Sequence, residues 1–173
     1  FFLLVVASSV NFFFVAFEFL LPFSNRLYGV EGAYATILTM GAIGSIIGAL
    51  LASKIKAGVY NLLILLALTG VGVFMMGLPL PTFLSFSGNL VCELFMTIFN
   101  IHFFSMVQKK VPKHMLGRVF SSIFTVAVIF MPISTAIMTA LPFSISIYAF
   151  AVIGAGILLV SGGGFLYSKK VLD

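Results

Sequence analysis

Charged side chains are scarce in this sequence. They make up 8% of its 173 residues, whereas an ordinary soluble domain has roughly 25%. Hydrophobic residues reach 62%, and the mean hydropathy is +1.27. A soluble fold of this size has too little interior to hide so much apolar surface. The sequence therefore predicts a protein whose solvent is mainly the lipid bilayer.

Cysteine and the common catalytic motifs are also missing or rare. The single cysteine, Cys92, lies in an apolar run and has no partner for an internal disulfide, so we expect a buried structural thiol. No GxxxxGK[ST], HExxH, paired CxxC or GxSxG pattern occurs. We therefore expect neither an enzyme nor a bound cofactor or metal.

Continuous apolar runs fill most of the chain. They argue against a β-barrel, whose strands alternate apolar and polar residues, and favour helices of about 20 residues. The prolines support the division into spans, because only Pro132 falls inside one, where it could kink the helix. The others, Pro22, Pro79, Pro81, Pro112 and Pro142, fall between spans. The predicted fold is an all-α integral membrane protein with six spans, at roughly 1–21, 32–53, 60–78, 83–107, 119–140 and 145–167.

Positive charges alternate from loop to loop. Only Arg26 lies on one side, and the other eight cations, Lys54, Lys56, Lys109, Lys110, Lys113, Arg118, Lys169 and Lys170, lie on the other. The positive-inside rule places those eight in the cytoplasm. We therefore expect a multi-pass protein of the plasma or inner membrane with both ends of this segment cytoplasmic. A nucleic-acid partner is not expected, since the cations form short loops rather than one basic face.

Strongly polar side chains concentrate on the first and fourth spans. In each span they recur every three or four residues and so share one helix face. These stripes are Ser8, Asn11, Val15 and Glu18 on the first span, and Ser85, Asn89, Glu93, Met96 and Asn100 on the fourth. The third and sixth spans are nearly bare of polar residues, so we expect them to face lipid.

Among these residues, Glu93 has the highest free-energy cost of insertion into the membrane. It lies ~15 Å along its span, near the middle of a ~30 Å hydrocarbon core, where a charge costs ~2.5–3.5 kcal/mol. No Lys or Arg lies inside any span to offset it. We therefore expect Glu93 to face a cavity and exchange a proton, or to stay neutral and bond to a neighbouring helix. Glu18 is closer to the outer end, where it could instead extend to the interface.

The six spans divide into two similar sets of three. Each set begins with a polar helix, continues with one rich in small or polar residues, and ends with a bare apolar helix. Because the first set starts in the cytoplasm and the second starts outside, the pattern predicts a 3+3 inverted repeat.

Two loop segments resemble those of a known transporter family. "IGALLASKIK" (47–56) is similar to the degenerate loop motif of the major facilitator superfamily, although its usual acidic residue is absent. "VQKKVPKHMLGRVFSSIFTVAVIFMPIS" (107–134) resembles the drug and macrolide efflux branch, which also contains siderophore exporters. The chain is similar to the C-terminal six-helix half of such a transporter over nearly all of 1–173. Since Phe1 opens inside apolar sequence without Met or a basic flank, we expect the N-terminal half to be missing.

The resemblance implies a secondary active exporter. It would move a lipophilic or amphiphilic small molecule across the bilayer by proton antiport with alternating access, and Glu93 would couple to protons. The implied cavity residues are Asn11, Phe14, Glu18, Asn89, Glu93, Met96, Thr97 and Asn100. The implied gating residues of the cytoplasmic loops are Gly48, Lys54, Gly117 and Arg118. Close helix packing is the alternative role for Gly48, which follows Gly44 in a GxxxG spacing.

Two other functional classes stay open. One is a non-transporting six-helix membrane subunit or an inactive truncated half. The other is an integral-membrane enzyme, which would need polar groups converging near one interface, whereas the polar stripes here run through the membrane interior.

Overall fold

A computed structural model describes residues 2–141 and 146–172, with side chains up to residue 169. Within those ranges every regular element is a helix. The α-helices are α1 (Phe2–Leu20), α2 (Ser24–Tyr28), α3 (Ala33–Ala52), α4 (Val59–Met76), α5 (Thr82–Lys110), α6 (Leu116–Ala140) and α7 (Tyr148–Leu172). Short 3₁₀ turns occupy Leu21–Phe23 and Lys113–Met115.

The prediction of six apolar spans is confirmed. The structure has six helical stretches that are long and apolar enough to cross a membrane, so the chain is a multi-pass membrane protein. They cover Phe2–Tyr28, Ala33–Ala52, Val59–Met76, Thr82–Lys110, Lys113–Ala140 and Tyr148–Lys169. Pro132 lies inside α6, which continues through it as a helix, and Pro142 lies outside the described residues.

Aromatic contacts show which helix ends meet. The rings of Phe2 and Tyr167 are 5.1 Å apart, so α1 begins where α7 ends. At the other end, Tyr28 donates a hydrogen bond to the carbonyl of Met76 (2.6 Å) and packs edge-on against Phe86. We call the first of these the basic end, because it carries Lys54, Lys56, Lys109, Lys110, Lys113, Arg118 and Lys169.

Glycines let α3 and α5 run side by side with their backbones in contact. A β-carbon at Gly44 would overlap the backbone of Leu90, and one at Gly48 would stand 2.5 Å from the carbonyl oxygen of Leu94. Similar contacts bring α4 against both α5 and α7, at Gly70, Gly72, Gly77, Gly88 and Gly154. Small residues allow such close approach in lipid, where helices gain little from hydrophobic association.

The six long helices form a curved row. Its order, α3–α5–α4–α7–α1–α6, follows from which helices pack side by side. α1 also contacts α7 through Phe13, whose ring occupies the space beside Gly156. α3 and α6 stand at the two ends of the row.

The structure does not confirm that the third and sixth spans are the ones that face lipid, since both are more buried than the second, fourth and fifth spans. Half of the most apolar stretch of α4 is buried, which is the same share as in the first span. In α6 the share is only 17%. The buried side chains of α4 include Leu62, Leu66 and Val73. An apolar side chain suits both lipid and protein surroundings, so bareness alone does not distinguish the two. In α7, 39% of the most apolar stretch is buried, which is also more than in α6.

The contact of Gly44 with α5 predicts a stability effect. Gly44→Ala should destabilise the protein by about 1–3 kcal/mol, because the added methyl group must push two backbones apart. The measurement is reversible unfolding in mixed micelles. Gly163→Ala is the matched control, since its β-carbon would meet open space, and equal stability of the two variants would contradict the close packing.

Candidate functional site

A groove runs between α1, α5 and α6 from the basic end to the middle of the bundle. It consists of two adjoining cavities that share the side chains of Leu4, Phe103 and Ile123. The mid-membrane cavity has a volume of about 370 Å³, and the basic-end cavity has a volume of about 450 Å³. Both are within the range of roughly 300–1,000 Å³ that is typical of small-molecule sites.

The mid-membrane cavity has mostly apolar walls. Its polar lining comes from Ser8 and Asn11 on α1 and from Asn100 on α5. Its apolar lining includes Met96, Phe99 and Phe104 of α5, with Leu66 of α4 and Phe124, Val128 and Met131 of α6. Two amides facing a space with apolar walls can orient a lipophilic molecule that carries one or two polar groups.

The predicted cavity residues separate into two places. Asn11, Met96 and Asn100 line the mid-membrane cavity together, from the two helices on which the sequence placed them. The other five, Phe14, Glu18, Asn89, Glu93 and Thr97, line neither of the two cavities.

Two side chain–backbone hydrogen bonds connect α1 to α6 beside this groove. The Asn11 amide donates to the carbonyl of Ala127 (3.1 Å), and the Ser134 hydroxyl donates to the carbonyl of Phe12 (2.8 Å). Interhelical bonds of this kind contribute on average ~0.6 kcal/mol in a membrane bundle. They fix Asn11 at the groove wall and hold α6 against α1.

Asn89 and Glu93 lie on the contact between α5 and α3. The Asn89 side chain is 2% exposed and its amide donates to the carbonyl of Ile37 (2.8 Å). The Ser45 hydroxyl donates to the Glu93 carboxylate (3.2 Å). A β-carbon at Gly41 would stand 2.5 Å from the Asn89 amide nitrogen and 3.1 Å from Cγ of Glu93, so glycine makes room for both side chains.

Glu93 has few partners in this cluster. Ser45 is its only hydrogen-bond partner among the described residues, and no basic side chain reaches it there. The carbonyl oxygen of the Asn89 side chain, one helical turn away, is buried and accepts no hydrogen bond from the described part of the chain. Glu18, exposed on α1, lies within electrostatic reach of Glu93.

The predicted gating residues lie in different surroundings. Gly48 packs against the backbone of Leu94, which fits the packing role. Lys54, Gly117 and Arg118 are exposed at the basic end, and the Arg118 carbonyl accepts a hydrogen bond from the Ser122 hydroxyl (2.9 Å).

Cys92 is fully buried, as the sequence predicted. Within the described ranges, no group of three or more His, Cys, Asp or Glu could hold a metal ion.

Ser45 is a residue that the sequence reasoning missed. It lies on the same helix face as Gly41 and Gly48, at spacings of four and three residues, so it faces the same neighbouring helix. A polar side chain within a stripe of glycines is the signal that could have identified it.

No family model, curated protein sequence or solved structure matches this chain. The functional conclusions below therefore depend on the geometry of its own residues.

Thiol labelling tests the groove. In a Cys92→Ser background, Asn100→Cys should react with a water-soluble maleimide roughly tenfold faster than Ser85→Cys, because only the first position opens into the groove. Ser85 is the matched control, since it is on the same helix and 1% exposed. The unchanged protein, whose thiol is buried, should stay unlabelled until it is denatured. Equal rates at positions 85 and 100 would contradict an open groove.

Proposed function

We propose that this chain is one six-helix half of a secondary active transporter of the major facilitator type. It exports a lipophilic or amphiphilic small molecule in exchange for protons. The observation that carries the proposal is the groove between α1 and α5, whose apolar walls hold Asn11 and Asn100. Transport substrates bind between helices at membrane depth in sites of this composition.

The packing order supports an inverted repeat. Exchanging the first span with the fourth, the second with the fifth and the third with the sixth turns the row α3–α5–α4–α7–α1–α6 into its own reverse. A two-fold axis in the membrane plane, passing between α4 and α7, has this effect.

Two asparagines support the same axis. In the first half, Asn11 of α1 donates to a backbone carbonyl of α6. In the second half, Asn89 of α5 donates to a backbone carbonyl of α3. In both cases the first helix of one set bonds to the middle helix of the other set. Independent folding of two unrelated halves gives no reason for this correspondence.

Glu93 is the proposed proton carrier. When it is ionised, its carboxylate accepts the Ser45 hydroxyl. When it is protonated, it becomes a donor, and the buried side-chain oxygen of Asn89, one helical turn earlier, accepts no hydrogen bond from the described part of the chain. The two states therefore favour different contacts between α5 and α3. Because α5 also carries Met96 and Asn100, a shift of this helix changes the groove.

Export is the direction that the resemblance to the efflux branch implies. The positive-inside rule puts the basic end in the cytoplasm, so in the proposed orientation the groove opens toward the cytoplasm. In an exporter, this is the conformation that takes up the substrate, and alternating access then releases it on the other side.

A second six-helix half is the proposed partner. α3 and α6 stand at the ends of the row and expose large apolar side chains, among them Leu50 and Ile129. Such faces suit the packing of an N-terminal half across the groove as well as contact with lipid.

Transport in proteoliposomes tests the proposal. With an imposed pH gradient, the chain joined to an N-terminal six-helix half should accumulate radiolabelled erythromycin, and Glu93→Gln should reduce gradient-driven uptake roughly tenfold or more at every pH. The reason is that glutamine keeps the shape of the side chain but carries no exchangeable acidic proton.

Glu18→Gln is the matched control, because it removes the other acid of the same region from an exposed position. It should keep at least half of the uptake. Wild-type uptake by Glu93→Gln would overturn proton coupling through this residue. No uptake by the unchanged chain, alone or joined to an N-terminal half, would favour the non-transporting subunit.

A further inference from the structure

The basic-end cavity forms the mouth of the groove, and it contains polar side chains that have no role in the proposed transport function. Its walls come from five helices and are apolar, with Leu3, Phe103, Met106, Val119 and Ile123 among them. A cavity of about 450 Å³ with such walls is suited to a hydrocarbon chain. It continues into the mid-membrane cavity, so a longer chain has room to extend along the groove.

Among the described side chains, one charged group lines this cavity. It is Lys110, which ends α5. Its neighbour Lys109 is also exposed but does not line the cavity. The described charge at the mouth is therefore positive, and its complement is an anion.

Ser168 supplies a second, independent polar group. It lines the cavity, its side chain is 1% exposed, and its hydroxyl has no hydrogen-bond partner among the described residues. Other serines in these helices, Ser122 and Ser161, donate to the carbonyl four residues earlier. Since a buried hydroxyl without a partner is unfavourable, a ligand oxygen at this position would satisfy it.

We propose that the basic-end cavity binds a single-chain amphiphilic anion. The hydrocarbon chain fills the apolar cavity, and the carboxylate or phosphate head group lies at Lys110 with Ser168 as a further donor. Apolar walls exclude a small inorganic anion as the preferred ligand, and the cation disfavours a lipophilic cation. The inference goes beyond the proposed function, because binding here needs neither transport nor proton exchange.

Equilibrium binding tests this site directly. The full chain is placed in nanodiscs of phosphatidylcholine, and the probes are radiolabelled palmitate, lysophosphatidic acid and the neutral alcohol hexadecanol, with empty nanodiscs as background. Lys110→Gln should weaken binding of the anionic probes roughly tenfold, because a charge-assisted hydrogen bond is lost. Hexadecanol should bind the unchanged chain and Lys110→Gln with equal affinity. To the unchanged chain it should bind more weakly than the anionic probes do.

Lys109→Gln is the matched control and should bind like the unchanged chain. Ile123→Trp, which fills the cavity without changing its charge, should reduce binding of all three probes. Binding of palmitate alone identifies a carboxylate site, and binding of lysophosphatidic acid alone identifies a phosphate site. Equal affinity of Lys110→Gln and Lys109→Gln, or palmitate binding no better than hexadecanol, would overturn the proposal.

Discussion

Close contact between helix backbones is the constraint on which this bundle depends. In lipid, apolar side chains gain little by leaving the solvent, so helices associate through tight packing and hydrogen bonds. Gly44 and Gly48 hold α3 on α5, and Gly72 and Gly154 hold α4 between α5 and α7. α1 and α6 are joined by side-chain bonds instead. The groove opens between α5 and the pair α1–α6, which no described glycine contact joins to α5.

The polar stripe of α5 connects the two parts of the candidate site. Near the end opposite the lysines, its Asn89 and Glu93 face α3. Toward the basic end, its Met96 and Asn100 face the groove. In the proposed function, a proton at Glu93 acts on the contact between two helices, and α5 carries the effect to the groove wall. In this account the proton and the transported molecule do not share a binding site.

Sequence patterns predicted what depends on one helix at a time. They predicted the six spans from length and hydropathy, and they put Asn11, Met96 and Asn100 on helix faces that line one cavity in the structure. They did not show which neighbour covers a face, because that depends on contacts between distant segments. The burial of α4, the partnership of Ser45 with Glu93, and the cavity at Lys110 and Ser168 all have this origin. Periodicity placed Glu93 and Asn100 on one polar stripe of α5. Only the helix packing shows that Glu93 contacts α3 while Asn100 faces the groove.

The distance between α1 and α5 at the basic end tests the central claim most directly. Spin labels at Val5→Cys and Gln108→Cys, in a Cys92→Ser background, report on the groove opening by pulsed electron resonance. Both positions are exposed, so the labels should not disturb the packing. The account predicts different distance distributions at low and high pH, and the low-pH distribution at both pH values when Glu93→Gln is added. One unchanged distribution under all these conditions would contradict it.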